Sequence, residues 1–173
     1  MQANHGSREM LRIDGVPVGR EIGYERVPNP WQMPPEAGSI VVIVATDAPL
    51  LPDQCRRLAQ RAGAGMARAG GVGYNGSGDL FLAFSTANHF PSDLALYTGR
   101  RFPENVTDLL EVTMLPHLLL NRLFEAVAEA VEESILNALT AAETTTGYQA
   151  RTAHALPLEG LQEVMRKYRP VAA

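Results

Sequence analysis

Residues 38–49 read "GSIVVIVATDAP": a Gly-Ser pair, five consecutive aliphatic residues from Ile40 to Val44, then Ala45-Thr46-Asp47. A β-branched run of this length, closed by turn residues, predicts a strand over 40–46. Both faces of that strand are apolar, so it belongs in a sheet covered on both sides. The serine at its mouth is the polar exception. Two prolines and Glu36 lead up to it within a proline-rich connection, "GYERVPNPWQMPPEAG" (23–38), that has no periodicity.

Outward from this strand, the next segment, "LLPDQCRRLAQRAGAGMARAG" (50–70), predicts one amphipathic helix. Pro52 suits its first turn, Leu51, Cys55, Leu58, Ala62 and Met66 share a face, and Gly70-Gly71 stop it. "DLFLAFSTA" (79–87) predicts a second central strand, and "LLEVTML" (109–115) a third one ended by Pro116. Residues 121–143 predict a long helix. Its buried stripe is Leu123, Phe124, Val127, Val131, Ile135, Ala138 and Leu139, with Glu125, Glu129 and Glu132 on the wet side. "LPLEGLQEVMRKY" (156–168) gives a short last helix. Before the Gly-Ser pair, "REMLRIDGVPVGREI" (8–22) reads as a hairpin turning at Asp14-Gly15. The order predicts an α/β layered fold, helices against a mixed sheet, in one structural domain.

The bulk composition narrows the function. A chain of 173 residues, 46% hydrophobic and 20% charged, is long enough for one real core. A net charge of −4 argues against a nucleic-acid or anionic-membrane surface. No apolar run approaches a membrane span, and "MQANHGSREM" has neither a basic start nor an apolar stretch. Cys55, the single cysteine, lies on the apolar helix stripe as filler. His5, His89, His117 and His154 share no ligand spacing, so no metal site is expected. The sequons at Asn75 and Asn105 are chance matches in a chain without a secretory start.

Gly71-Val72-Gly73-Tyr74-Asn75-Gly76 matches G-x-G-x-x-G. The dinucleotide motif must follow a strand and open a helix, whereas here a helix precedes and a strand follows. These glycines are better placed to let backbone pass close to a pocket.

Ser39 has no Gly-x-Ser-x-Gly elbow around it and no histidine near it in sequence. A serine is a poor nucleophile without a base. Cutting the bond before Ser39 would supply one, its own α-amine, whose unperturbed pKa of about 7.7–8 matches neutral pH. Gly38 leaves the attacked carbonyl uncrowded. A loop-to-strand junction is the plainer alternative.

Six stretches carry a family likeness: "GSIVVIVATDAPLLPDQCRRLAQRAGAGMARAG" (38–70), "GSGDLFLAFSTAN" (76–88), "EAVEESILNALTAAETTTG" (129–147), and the flanking "QANHG", "RIDGVPVGREI" and "ALPLEGLQEVM". Together they resemble the self-processing aminopeptidases of the DmpA type (the P1 family). These are the L-aminopeptidase/D-esterases and the β-peptidyl aminopeptidases, and the likeness runs over essentially the whole chain.

The resemblance implies part of an αββα sandwich like that of N-terminal nucleophile hydrolases, with self-cleavage between Gly38 and Ser39. Residues 1–38 would end the α part and 39–173 would form the β chain. Ser39 would be the nucleophile, Ser77 and Asp79 the pair that positions it and moves its proton, and Asn4 the oxyanion donor. Asp79 departs from members that carry glutamate there. Read only as turn residues, Asn4 caps a turn, and Ser77 and Asp79 order a loop.

The implied substrates are small peptides, amides or esters, with no cofactor, in a homo-oligomer. The expected location is the cytoplasm, or the periplasm if a leader lies upstream. Members carry a long α part before the cut, including a tyrosine oxyanion partner. Met1 here falls inside a motif expected in mid-chain, so the chain is expected to be the C-terminal half of an enzyme. The rival expectation is a non-catalytic piece that works only with a separate partner.

Overall fold

The computed structural model describes residues 1–29, 38–89 and 111–169. In chain order its elements are β1 (Gln2–Asn4), α1 (Val18–Glu21), β2 (Ser39–Thr46), α2 (Pro52–Ala59) and α3 (Ala62–Arg68). They continue with β3 (Leu80–Ser85), α4 (Leu120–Ala141), β4 (Thr145–Thr146), β5 (Thr152–Ala153) and α5 (Leu158–Tyr168).

The aliphatic run that predicted a strand forms β2, the middle of a three-stranded sheet ordered β1-β2-β3. β1 pairs with it antiparallel, from Gln2 opposite Val41 to Asn4 opposite Ser39. β3 pairs with it parallel, from Val41 opposite Leu80 to Thr46 opposite Ser85. The parallel pair needs a crossover, which α2 and α3 supply.

One sheet face is dry. Ile40 and Val42 pack against Leu58, Ala62 and Met66 of α2 and α3, and these against Leu120, Val127, Val131 and Ile135 of α4. Each of the larger side chains among them (Val, Leu, Ile or Met) contributes roughly 1.5–3 kcal/mol when fully buried. A smaller core joins Val16, Val18, Ile22 and Val27 to Val164 of α5.

Among the described residues, the expected cover on both faces is present on one only. The alternation along the strands sends Val41, Ile43, Leu80, Leu82 and Phe84 to the other face, where Ile43 is 59%, Leu80 64% and Leu82 57% exposed. The described part is therefore two layers, helices on a sheet, with an apolar sheet face left open.

Five further sequence expectations need correction. The single helix over 50–70 is two, because Arg61 N–H bonds to Leu58 three residues back and tightens the chain between α2 and α3. The hairpin over 8–22 keeps its turn, with Asp14 and Gly15 both at positive φ, but its arms shrink to one bridge between Ile13 and Val16. The arms instead form a 3-10 turn at Arg8–Met10 and the short α1.

The third strand, expected over 109–115, is absent from its described part, 111–115. There Thr113 is held by both amide atoms of Asn88, and Leu115 N–H bonds Pro49, with no strand ladder. On α4, Glu125 and Glu129 are exposed as expected, but Glu132 faces α3 and pairs with Arg68 at 3.4 Å. Ala138, expected in the stripe, is exposed.

Candidate active site

Ser39 opens β2, and the sheet itself fixes its surroundings. Asn4 is its direct register partner on β1, which puts both side chains on the same face. By strand alternation this is the open apolar face of Val41 and Leu80.

Gly38 passes so close to β1 that a Cβ would lie 2.6 Å from the Asn4 carbonyl oxygen and 2.8 Å from His5 Cα. Only glycine fits there without shifting backbone.

The 71–79 loop closes the other side. It leaves α3, turns at Tyr74–Ser77 through a Ser77 N–H bond to the Tyr74 carbonyl at 2.7 Å, and enters β3. Gly78 N–H donates to Ser39 Oγ at 3.0 Å. One residue on, Asp79 Oδ1 accepts Ser77 Oγ at 2.5 Å and the Ile40 N–H at 3.2 Å. The carboxylate thus ties the loop to the backbone beside the nucleophile candidate.

All four residues singled out by sequence, Asn4, Ser39, Ser77 and Asp79, are brought together at one end of the sheet. Missing from that set was the Gly78 N–H. Its only sequence signal was a glycine between Ser77 and Asp79, which carries no chemistry until the fold points its amide at Ser39.

His5, next to Asn4, is half-buried beside this cluster. Burial pushes its imidazole below the usual histidine value, and the nearby Asp79 charge offsets part of that. Cys55 is buried and its thiol is pushed up by desolvation, the mark of filler and not of a nucleophile.

A cavity of about 790 Å³ runs along the outer edge of β3 from Asp79 to Ser85, with Leu51, Cys55 and Ala59 on its α2 side. Among the described residues no group of three His, Cys, Asp or Glu side chains could hold a metal ion. No described helix is long and apolar enough to cross a membrane.

The profile of Peptidase family S58 matches residues 1–153. The chain belongs to peptidase family S58. It is 41% identical to the beta-peptidyl aminopeptidase BapA of Sphingosinicella microcystinivorans, over 100% of this chain and 43% of that protein.

Among solved structures it superposes on a Burkholderia sp. beta-aminopeptidase with a TM-score of 0.76 and 37% identity, over 99% of this chain and 44% of the other. It also matches the L-aminopeptidase D-Ala-esterase/amidase of Ochrobactrum anthropi. That protein is described as a prototype for the serine aminopeptidases and a new variant among the Ntn hydrolase fold. The TM-score there is 0.73 and the identity 35%, over 97% of this chain and 42% of the other.

The S58 chain therefore spans less than half the length of the relatives it matches. The α/β layered fold and the DmpA-type likeness read from the sequence are both borne out.

Proposed function

We propose that this chain carries the nucleophile of a serine aminopeptidase of the N-terminal nucleophile type, with Ser39 as the attacking group. The observation that carries the reading is the bond from Gly78 N–H to Ser39 Oγ, with Asp79 anchored one residue away on Ser77 and Ile40. A hydroxyl that accepts a backbone N–H is held in place, and the same donor favours the developing alkoxide.

In the first step Ser39 Oγ attacks the Gly38 carbonyl and its proton passes to the Ser39 amide nitrogen. The C–N bond breaks and leaves Gly38 as an ester on Oγ. Water hydrolyses that ester, and Ser39 now begins a chain with a free α-amine.

In turnover the α-amine takes the Oγ proton as Oγ attacks the substrate carbonyl, then returns it to the leaving amine or alcohol. Water releases the acyl group and restores the hydroxyl. Ser77 and Asp79 orient the amine and share its proton, and Asn4 donates to the oxyanion. The substrates are the N-terminal residues of small peptides, amides or esters.

The open apolar face of β2 and β3 supports a further point. Ser39 and Asn4 leave the sheet on that face, so a second layer laid on it would wall the substrate site. The chain works as one part of an enzyme completed by an upstream half, within a homo-oligomer.

The test is intact mass and turnover of a form carrying an upstream half from a relative. A product spanning residues 39–173 and release of p-nitroaniline from amino-acid anilides are expected, both lost in Ser39→Ala. An uncut protein that still turns over would overturn the self-cleavage step.

A further inference from the structure

His5 touches backbone on both sides of the serine site. Its Cα lies against Gly38, the residue before Ser39, and its ring lies against Gly71, the first residue of the loop that ends in Gly78 and Asp79. A Cβ on Gly71 would sit 2.8 Å from His5 Cδ2 and 3.1 Å from Nε2. Gly71 is buried, and its own N–H is bonded to the Met66 carbonyl at 2.9 Å, so the ring presses on a fixed point of the chain.

The ring borders a cavity of about 400 Å³ whose α4 wall, Ile135, Ala138 and Leu139, brings no charge. The charged groups around it are Asp79 and Arg8. Arg8 is turned away, onto the carbonyls of Gly23 and Val27 and the Tyr24 ring.

We propose that His5 is a positioning residue of this site: its ring wedges between the end of β1 and Gly71, and sets where the loop delivers Gly78 and Asp79 to Ser39. The inference rests on the serine-hydrolase reading above, and it adds a control on the loop that is independent of turnover.

The wedge works while the ring is uncharged. Because burial lowers the imidazole pKa, the folded chain binds this proton more weakly than the unfolded chain does. The stability the neutral ring contributes is present above the ordinary histidine range. It is lost as pH falls through that range toward the lower folded value. A protonated ring also offers Asp79 a partner that competes with Ser77 and Ile40. Acid should therefore loosen the loop before it loosens the helical layer.

Hydrogen exchange read by mass spectrometry on residues 1–173 tests this, with labelling times scaled to intrinsic exchange at about pH 7.5 and about pH 5, either side of the ordinary histidine value. Peptides over 71–79 should lose roughly tenfold in protection at the acid pH while those over α4 hold. His5→Phe keeps a ring that cannot titrate and should stay protected at both pH values, whereas His5→Gln, lacking the ring, should be loose at both.

Equal loop protection at both pH values in the unsubstituted chain overturns the proposal, as does an acid step that survives in His5→Phe. None of these readings needs turnover, so failure of the Ser39 chemistry and failure of the His5 role are told apart.

Discussion

Asn4 and Ser39 stand directly opposite each other across the β1–β2 pair, so a donor and a hydroxyl leave the sheet side by side on its open face. This pairing is what makes Asn4 more than a turn residue. If its side chain donates to the oxyanion formed on Ser39, Asn4→Ala should lower turnover by about 10²–10³. Stability should change by no more than about 0.5 kcal/mol, since Asn4 is exposed and its backbone pairing is kept. Steady-state kinetics of a form carrying the upstream half, beside a urea melt, checks both. A variant with the unsubstituted rate would assign Asn4 to the strand alone.

Asp79 separates charge from geometry. In Asp79→Asn the remaining oxygen can still accept from Ser77 and Ile40, so the loop should stay while the ionisable group goes. The rate should fall by something like 10²–10⁴, the usual contribution of a positioned acid or base. Exchange protection over 71–79 should change little. A near-normal rate would leave Asp79 as a loop anchor only.

The readable parts of this molecule were those where one residue pattern admits one solution. Ile40 to Val44 could only be a strand, and the stripe from Val127 to Ile135 only a helix face, and both are found there. The short pieces were not legible. β1 is three residues, Gln2–Asn4, and exists because β2 offers it an edge, not through any propensity of its own. The break between α2 and α3 falls where apolar spacing continues unbroken, so periodicity could not show it.

At the site, side chains with chemistry stood out in the sequence. The Gly78 N–H and the His5 wedge did not, because a backbone amide has no letter and a histidine beside a glycine acquires meaning only when folding brings them into contact.

Gly38 gives a prediction about processing. Its missing side chain is what lets the bond before Ser39 lie against Asn4 and His5, where an added Cβ would crowd backbone at 2.6 Å and 2.8 Å. Gly38→Ala should displace the peptide bond before Ser39 and, if that bond is cut as proposed, slow the appearance of the 39–173 product, with the uncut chain still folded. Once cut, the enzyme should gain activity through an apparent pKa near the α-amine value of about 7.7–8. Mass spectrometry over time and a pH–rate profile of the mature form provide the checks. Wild-type cleavage kinetics in Gly38→Ala would remove the steric argument.

Gln54 tests the packing at the far end of the sheet from Ser39, where β2 leads into α2. It is 1% exposed, donates from Nε2 to the Leu115 carbonyl at 2.7 Å, and accepts the Leu51 N–H on Oε1 at 3.0 Å. One side chain therefore caps α2 and pins the segment before α4. Gln54→Leu fills similar space but leaves both backbone groups without that partner, at a cost of about 1–3 kcal/mol for each one that stays buried. Urea unfolding should show the loss as a lower midpoint at unchanged slope. A midpoint within error of the parent would mean that water reaches both groups.

The open sheet face yields the last prediction. Val41, Ile43, Leu80, Leu82 and Phe84 form a contiguous apolar surface across β2 and β3, on the side from which Ser39 and Asn4 project. A surface of this kind is rarely left to water in a monomer, so residues 1–173 alone should self-associate through it. Ile43→Thr with Leu82→Thr keeps β-branched or strand-compatible residues while breaking the patch. The pair should shift the isolated chain toward monomer in light scattering, at little cost to its melt, because neither side chain is in the helical core. The same pair should weaken rescue of activity by a separately supplied upstream half, since that half would bury the same face. A chain that is monomeric without substitution, or a double variant that is rescued as well as the parent, would show that this face is not where the second layer sits.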